Sequence, residues 1–332
     1  MANSVYQNLK EKIFQIKSDS DFNETALEVF YFQYQQISIY RQWVDYLHID
    51  PKDVRELHQI PFLPIRFFKE HKIIREKQQE EIIFSSSGTT GMSRSQHYVS
   101  DLSIYETAYR KSFEYFYGAI ENYVVLALLP SYMEREGSSL IYMAEDFIEI
   151  SQHKESGFYL NEHKEIIKML EKLKQEHKKV LLLGVSFALL DLAENHKIDF
   201  PALVIMETGG MKGRRKEMVR EELHAIYCAG FGVKDIHSEY GMTELLSQAY
   251  SKGNGVFNTP PWMKVLIRDT NDPLSLIGEN RSGGVNIIDF ANLNSCAFIA
   301  TQDVGKIIDN TSFEILGRFD NSDVRGCNLL VI

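Results

Sequence analysis

The sequence predicts an α/β fold in which a mostly parallel sheet is covered by helices. Three observations lead to this expectation. From about residue 80, apolar runs, glycine-rich turns and segments of helical periodicity alternate, as a sheet with crossover helices requires. The preceding residues have a helical pattern, and after residue 252 short strands are separated by Gly, Asn, Asp and Pro. We therefore expect an α/β core with a small β-rich subdomain.

The elements follow in chain order. Residues 1–80 have apolar positions at three- and four-residue spacing with a break at Pro51, which predicts helices. Pro61 and Pro64 force an extended course, so their segment should lie across the surface of the core. The core itself is expected at 81–251, with strands at 124–129, 180–184, 203–207 and 234–237 and helices at 101–117, 162–178 and 214–230. The β-rich part is expected at 252–316, with strands at 255–257, 264–268, 284–288 and 305–308, and a hinge with a short C-terminal arm at 317–332.

Composition excludes several functions. The 332 residues include 36 Lys and Arg and 46 Asp and Glu, and the net charge of −10 argues against chain-wide binding to nucleic acid or acidic lipid. No apolar run approaches the roughly 20 residues that span a bilayer. The N-terminus lacks the pattern of a signal peptide, which predicts a cytoplasmic protein. Cys228, Cys296 and Cys327 form no C-x-x-C pair, so neither a disulfide framework nor a zinc site is expected.

The most informative stretch is the phosphate loop, by which we mean residues 85–91. Each of these seven residues is Ser, Thr or Gly, so backbone N–H groups and hydroxyls are both available to an anion. No Lys follows Gly91, and the loop is therefore not of the G-x-x-x-x-G-K-[ST] kind. The alternative is a flexible surface turn.

Three further strings, at 237–244, 301–305 and 317–320, offer polar groups near strand ends, where open α/β sheets bind ligands. In the string 237–244, Glu244 could hold a divalent cation and Thr243 could donate to a phosphate. The alternative is a helix start capped by threonine. Asp303 and Arg318 could bind the two hydroxyls of a ribose, although Asp-x-Gly is also an ordinary turn.

In this order, these strings resemble the signature of the adenylate-forming enzymes, and the chain resembles their acyl-protein synthetase (LuxE-type) branch. The resemblance extends over about residues 60 to 327. It rests on Pro61-Phe62-Leu63-Pro64 with Phe68-Lys69, Ser86-Ser87-Gly88-Thr89-Thr90-Gly91, Thr208-Gly209-Gly210, Glu239-Tyr240-Gly241-Met242-Thr243-Glu244 and Arg325-Gly326-Cys327. It implies the large N-terminal domain of such an enzyme.

The resemblance also implies ATP and Mg²⁺ as cofactors and a small-molecule carboxylic acid as substrate. The abundant aromatic and apolar residues could hold either a fatty or an aryl acid. The β- and γ-phosphates would lie against Ser86, Ser87, Gly88, Thr89, Thr90 and Gly91. Thr243 would contact the α-phosphate, and Glu244 would be the metal ligand. Adenine would lie against Gly209, Gly210 and the backbone of Glu239, Tyr240 and Gly241, while Asp303 and Arg318 would hold the ribose.

The sequence departs from the superfamily at its end. Only twelve residues follow Asp320, too few for the usual C-terminal cap domain with its catalytic lysine, so another lysine or a partner would complete the site. Lys212 with Arg214 and Arg215 is one candidate, and a solvated helix start is the alternative. Arg94 could replace the lysine that usually follows the phosphate loop.

In the LuxE-type branch the acyl group passes to a cysteine near the C-terminus, and Cys327 occupies that place. The alternative is a packed thiol. The final acceptor could be a reductase, a carrier protein or coenzyme A. From other classes, Gly184-Val185-Ser186 loosely resembles the nucleophile elbow of a serine hydrolase, with His237 as the last histidine, and a non-catalytic binding protein is the third hypothesis.

Overall fold

The computed structural model describes residues 2–86, 94–130, 137–159, 163–209, 218–278, 280–309 and 311–319. Within these residues, thirteen strands form one mixed sheet, and a separate two-stranded hairpin lies beside it. A contiguous cluster of buried apolar side chains joins the sheet to its helices. The predicted α/β class is confirmed, and no separate C-terminal domain follows the last strand within the described part of the chain.

Three helices open the chain, as the periodicity predicts: α1 (Ala2–Lys12), α2 (Asp19–Gln36) and α3 (Ser38–Tyr46). Helix α2 begins where the Ser18 hydroxyl accepts a hydrogen bond from the Asp21 N–H, which satisfies one of the free donors of the first turn. Short 3₁₀ turns at Pro51–Asp53 and Leu57–Gln59 follow the predicted break. No helix among the described residues is long and apolar enough to span a membrane.

The segment around Pro61 and Pro64 is extended, but it is not superficial. Strand β1 (Leu63–Pro64) pairs in parallel with β14 (Phe298–Ile307), and Leu63 is completely buried. The short helix α4 (Phe67–Glu70) ends the segment. The expectation of a surface course was wrong because the segment supplies part of the sheet.

The parallel half of the sheet contains β4 (Val124–Leu128), β5 (Gly157–Phe158), β6 (Val180–Val185), β7 (Leu203–Thr208) and β8 (His237–Tyr240), in the order β5-β4-β6-β7-β8. Its helices are α5 (Leu102–Tyr117), α6 (Ser139–Ser151), α7 (His163–Gln175), α8 (Ser186–Asn195) and α9 (Arg220–Phe231). Strands predicted at 124–129, 180–184 and 203–207 are confirmed within one residue. The strand predicted at 234–237 was wrong, because pairing with β7 begins at His237, opposite Met206.

The antiparallel half contains β9 (Ala249–Ser251), β10 (Val256–Asn258), β11 (Met263–Arg268), β12 (Leu276–Ile277), β13 (Ser282–Asp289), β14 and β15 (Ser312–Arg318). It continues the same sheet in the order β8-β9-β10-β15-β14-β13-β11-β12. The strand predicted at 305–308 is the end of the longer β14, since Phe298 to Ala300 pair with β13 as well. The hairpin of β2 (Ile82–Ser85) and β3 (Gln96–Val99) brackets the segment 87–93. The domain boundaries proposed from the sequence remain a proposal.

Candidate active site

Strands β7 and β8 bring two predicted strings together at their carboxyl ends. The strands are parallel neighbours, with Thr208 opposite Glu239. The Thr208 hydroxyl donates a 2.7 Å hydrogen bond to Oε2 of Glu239. Burial raises the pKa of the Glu239 carboxyl to about 7, although the Thr208 hydroxyl acts in the opposite direction. The predicted neighbourhood of Gly209 and residues 239–241 therefore exists as a surface at this edge of the sheet.

Glycines allow the backbone to turn at this edge. Gly209 has a φ of +72°, which favours glycine, and its carbonyl accepts a 2.7 Å hydrogen bond from the Ser186 hydroxyl. At Gly241, a Cβ atom would lie 2.3 Å from Oε1 of Glu239, so a side chain there would displace the carboxylate. Gly209 and Gly241 thus each have a local structural reason.

The predicted ribose pair is also assembled. Asp303 and Arg318 lie opposite each other on β14 and β15, with Nε of Arg318 at 3.6 Å from Oδ1 of Asp303. The Tyr240 hydroxyl donates a 2.7 Å hydrogen bond to Oδ2 of Asp303. Burial, reinforced by Asp303, raises the pKa of Tyr240 well above its usual value, so the phenol keeps its proton. Tyr240 therefore contributes a side chain here, where the sequence predicted only its backbone.

Thr243 and Glu244 lie in a turn between β8 and β9. This excludes the alternative of a helix capped by Thr243. The Glu244 side chain is buried, and its residue is only 7% exposed. Burial raises the pKa of the Glu244 carboxyl, while the Ser95 hydroxyl and the charges of Arg318 and Lys69 oppose that rise. A carboxylate in such surroundings gains from a cation placed beside it.

A buried polar network, which the sequence analysis missed, holds this turn. Both oxygens of Asp289 accept hydrogen bonds from residue 247, at 2.9 Å from the Ser247 N–H and 2.6 Å from its hydroxyl. Asn292 donates from Nδ2 to the Glu244 carbonyl at 2.8 Å and accepts from the Leu246 N–H at 3.1 Å. Asp289 ends an apolar strand, and this lone carboxylate in an apolar run was the sequence signal that could have indicated a buried network.

His97 on β3 holds the same turn from the other side. Its Nδ1 lies 3.0 Å from the Thr243 carbonyl and its Nε2 lies 2.7 Å from the Ser295 hydroxyl. The residue is 1% exposed, and burial lowers the pKa of the imidazole to about 4. His97 is therefore neutral near pH 7. No sequence motif pointed to it.

Several predicted site residues lie outside the described residues. These are Ser87, Gly88, Thr89, Thr90, Gly91, Gly210 and Cys327, together with the candidate cluster Lys212, Arg214 and Arg215. Ser86 is described: its N–H donates to the Ser95 carbonyl at 3.0 Å, and its hydroxyl accepts from the Ser95 N–H at 2.9 Å. This pair closes the base of the phosphate loop.

The chemistry of the Glu244 site suits Mg²⁺. The described residues contain no group of three or more His, Cys, Asp or Glu that could hold a metal ion by themselves. Mg²⁺ commonly needs only one or two carboxylates, because it keeps several waters and takes the remaining ligands from substrate phosphates. The single buried carboxylate of Glu244 satisfies that requirement.

The serine hydrolase hypothesis finds no support in the geometry. The Ser186 residue is 2% exposed, and its hydroxyl donates to the Gly209 carbonyl. Nδ1 of His237 lies 3.1 Å from the Tyr117 hydroxyl. The Ser186 hydroxyl therefore stabilises the backbone at Gly209, and His237 has Tyr117 as its partner instead of the serine.

Comparisons with known proteins identify a family and a fold. The sequence model of the family described as acyl-protein synthetase, LuxE, matches residues 14–332. Among solved structures, an open conformation of 2-hydroxyisobutyryl-CoA ligase with 2-HIB-AMP and CoA superposes with a TM-score of 0.65 at 10% identity, covering 92% of this chain and 72% of that one. ATP-bound MatB from Rhodopseudomonas palustris gives a TM-score of 0.55 at 16% identity, covering 71% of this chain and 47% of MatB. The match thus spans about half the length of MatB. No curated protein matches the chain in sequence.

Proposed function

Because the chain belongs to the acyl-protein synthetase (LuxE) family, we propose that it activates a carboxylic acid with ATP to form an acyl-adenylate and pyrophosphate. The observation that carries the proposal is the shared strand edge, where the Thr243–Glu244 turn and the Tyr240–Asp303–Arg318 cluster both lie. Nucleotides bind at such edges in open α/β sheets. The similar fold of 2-hydroxyisobutyryl-CoA ligase supports the same class of reaction, and that of ATP-bound MatB supports the use of ATP.

In the first half-reaction, a substrate carboxylate oxygen attacks the α-phosphorus of ATP. The bond from that phosphorus to the bridging oxygen of pyrophosphate breaks, and the pyrophosphate leaves with the electron pair. The protein contributes positioning and charge. Asp303 would accept hydrogen bonds from the ribose hydroxyls, and the Tyr240 hydroxyl keeps that carboxylate in place.

Thr243 would donate its hydroxyl to the α-phosphate. Glu244 would hold Mg²⁺, which when bound supplies positive charge against the phosphates. The adenine would occupy the edge formed by Gly209 and residues 239–241, and Gly210 would continue it. The phosphate loop from Ser86 to Gly91 would hold the outer phosphates, with Ser86 fixed at its base by Ser95.

We propose that the second half-reaction forms a thioester on Cys327. The thiolate sulfur would attack the acyl carbon, and AMP would leave from that carbon. The acyl group would then pass to an acceptor, which could be a reductase, a carrier protein or coenzyme A. The substrate is proposed to be a fatty or aryl acid.

The test is ATP–pyrophosphate exchange over a panel of short, long and aromatic acids. We expect exchange that depends on both Mg²⁺ and one class of acid. Background exchange with every acid, together with absent ATP binding, would refute adenylation.

The thioester is tested by intact mass after incubation with ATP, Mg²⁺ and the best acid. Cys327→Ser should abolish a hydroxylamine-labile acyl adduct and leave exchange nearly intact, because the first half-reaction needs no thiol. Cys228→Ser is the matched control and should retain the adduct. An adduct that survives in the Cys327→Ser protein would exclude Cys327 as the acceptor.

A further inference from the structure

The start of β3 presents two polar side chains to the Thr243–Glu244 turn. Ser95 and His97 are two residues apart, so in extended chain they lie on the same face. Both are 1% exposed. The His97 ring contacts the Thr243 carbonyl, and the backbone of Ser95 is hydrogen-bonded to Ser86. One short segment therefore connects the turn with Ser86.

The hydrogen bonds of His97 define its tautomer. A carbonyl oxygen only accepts, so the proton of the neutral ring lies on Nδ1 and is donated to Thr243 at 3.0 Å. Nε2 is then an acceptor, and the Ser295 hydroxyl donates to it at 2.7 Å. The Phe68 ring packs edge-on against the imidazole with centroids 5.4 Å apart. Two hydrogen bonds and one ring contact thus fix the imidazole in one orientation.

The same segment also closes the base of the phosphate loop. Ser95 exchanges two hydrogen bonds with Ser86, at 3.0 and 2.9 Å. The path from Ser86 through Ser95 and His97 to Thr243 is therefore continuous, with Ser95 and His97 buried and Ser86 and Thr243 half-buried. A displacement of the turn relative to Ser86 would strain or break one of these hydrogen bonds.

We propose that His97 is a positioning residue for adenylation, which sets the Thr243–Glu244 turn relative to Ser86 through its Nδ1–H donor. This inference rests on the proposed function. His97 does not itself contact a reacting group. Its effect is to keep the Thr243 hydroxyl and the Glu244 carboxylate at the places where the α-phosphate and the metal require them. Misplacement by about 1 Å can cost roughly a hundredfold in rate.

Two amides separate this role from simple packing. In His97→Asn, the side-chain nitrogen occupies the place of Nδ1 and can still donate to Thr243, whereas in His97→Gln the nitrogen reaches only toward the place of Nε2. We expect His97→Gln to lower kcat for exchange roughly 30- to 100-fold, whereas the kcat of His97→Asn should stay within about fivefold of wild type. The KM for the acid should change by less than about twofold in both, because the acid is not held by the turn.

The controls keep the proposal falsifiable. Ser295→Ala leaves the ring but removes the donor to Nε2, and we expect a loss of roughly five- to tenfold in kcat. His237→Asn alters a partly buried histidine that hydrogen-bonds to Tyr117, and its exchange should remain within about twofold of wild type. Thermal unfolding is recorded for every variant.

Equal kcat values for His97→Asn and His97→Gln would overturn the positioning role, as would losses of kcat that follow the unfolding temperature alone. Neither result would contradict the proposal that the protein forms an acyl-adenylate. An unaltered kcat in Ser295→Ala would count against the positioning role as well. A wild-type protein without exchange for any acid would instead overturn the proposed function, and the positioning role with it.

Discussion

The Thr243–Glu244 turn and the Asp303–Arg318 pair lie at the same edge of the sheet, yet they are built differently. The turn is enclosed, with Glu244 at 7% exposure and a network of Asp289, Asn292 and His97 around its backbone. The pair is more open, since the Arg318 side chain is 66% exposed, although that of Asp303 is only 15% exposed.

This difference separates two ways of preparing a binding site. Around the turn, backbone groups of residues 243–247 are held by side chains that are themselves buried, and removal of one such side chain leaves backbone groups without a partner. At the pair, water can take the place of a partner lost by the exposed Arg318 guanidinium. Changes near the turn should therefore affect stability and rate, whereas changes at the pair should affect nucleotide binding alone.

The largest effect should come from Asp289→Asn compared with Asp303→Asn. Asn at 289 places an amide donor against the N–H groups of residues 246 and 247, so we expect a loss of about 3 kcal/mol or more in the free energy of unfolding. At 303 the loss should be below about 1 kcal/mol. Urea denaturation measures both. Equal losses would show that the two regions are not built differently.

The pH dependence of the free energy of unfolding should show that the His97 imidazole is buried and neutral. Its pKa is about 4 in the folded protein and about 6.5 in an unfolded chain. Between these pH values the unfolded state binds a proton and the folded state does not. The free energy of unfolding therefore decreases by up to about 3 kcal/mol as the pH falls from about 6.5 to 4. Urea denaturation at several pH values should give a smaller decrease for His97→Asn. An identical decrease in both proteins would contradict the buried, neutral imidazole.

Glu244→Gln should reduce the kcat for exchange more than it reduces the affinity for nucleotide. The carboxylate is needed most where charge develops on the phosphates, so we expect a loss of roughly a hundredfold or more in kcat for exchange. Nucleotide binding, measured by calorimetry, should weaken much less. A folded variant with near-normal exchange would mean that Glu244 is not the metal ligand.

The smallest effect should come from Asp303→Asn on nucleotide use. Loss of the charged acceptor for the ribose hydroxyls should raise the KM for ATP about tenfold with little change in kcat. Tyr240→Phe removes only the hydroxyl that holds Asp303, so it should raise the KM for ATP by a smaller factor than Asp303→Asn does. A 2′-deoxy analogue of ATP should lose less affinity in the variant than in wild type. An unchanged KM would remove Asp303 from the ribose site.

The sequence predicted those parts of the molecule whose signals are local. Apolar runs identified β4, β6 and β7, because a strand buried on both faces reads as a continuous apolar segment. The string from Glu239 to Glu244 was identified by its residues, and the strand edge where it lies followed from the parallel order. Asp303 and Arg318 were suggested as a ribose pair by their residue types near predicted strand ends, and the resemblance then assigned them that role.

The residues that the sequence did not reveal act over long separations in the chain. His97 bonds to Thr243 and Ser295, which are 146 and 198 residues away. Gln33 donates to the Asn292 carbonyl at 3.0 Å from 259 residues away, and it thus ties helix α2 to the network under the turn. A lone polar residue in an apolar segment shows that a partner must exist, but not where that partner lies.

The most direct test of adenylation follows one oxygen atom. The best acid is supplied with ¹⁸O in both carboxylate oxygens, together with ATP and Mg²⁺, and the AMP released after acyl transfer is examined by mass spectrometry. If the carboxylate attacks the α-phosphorus and the acyl carbon is attacked next, each AMP formed must carry one ¹⁸O. AMP without label, or ADP and inorganic phosphate as the products, would contradict the acyl-adenylate and with it the roles of Thr243 and Glu244.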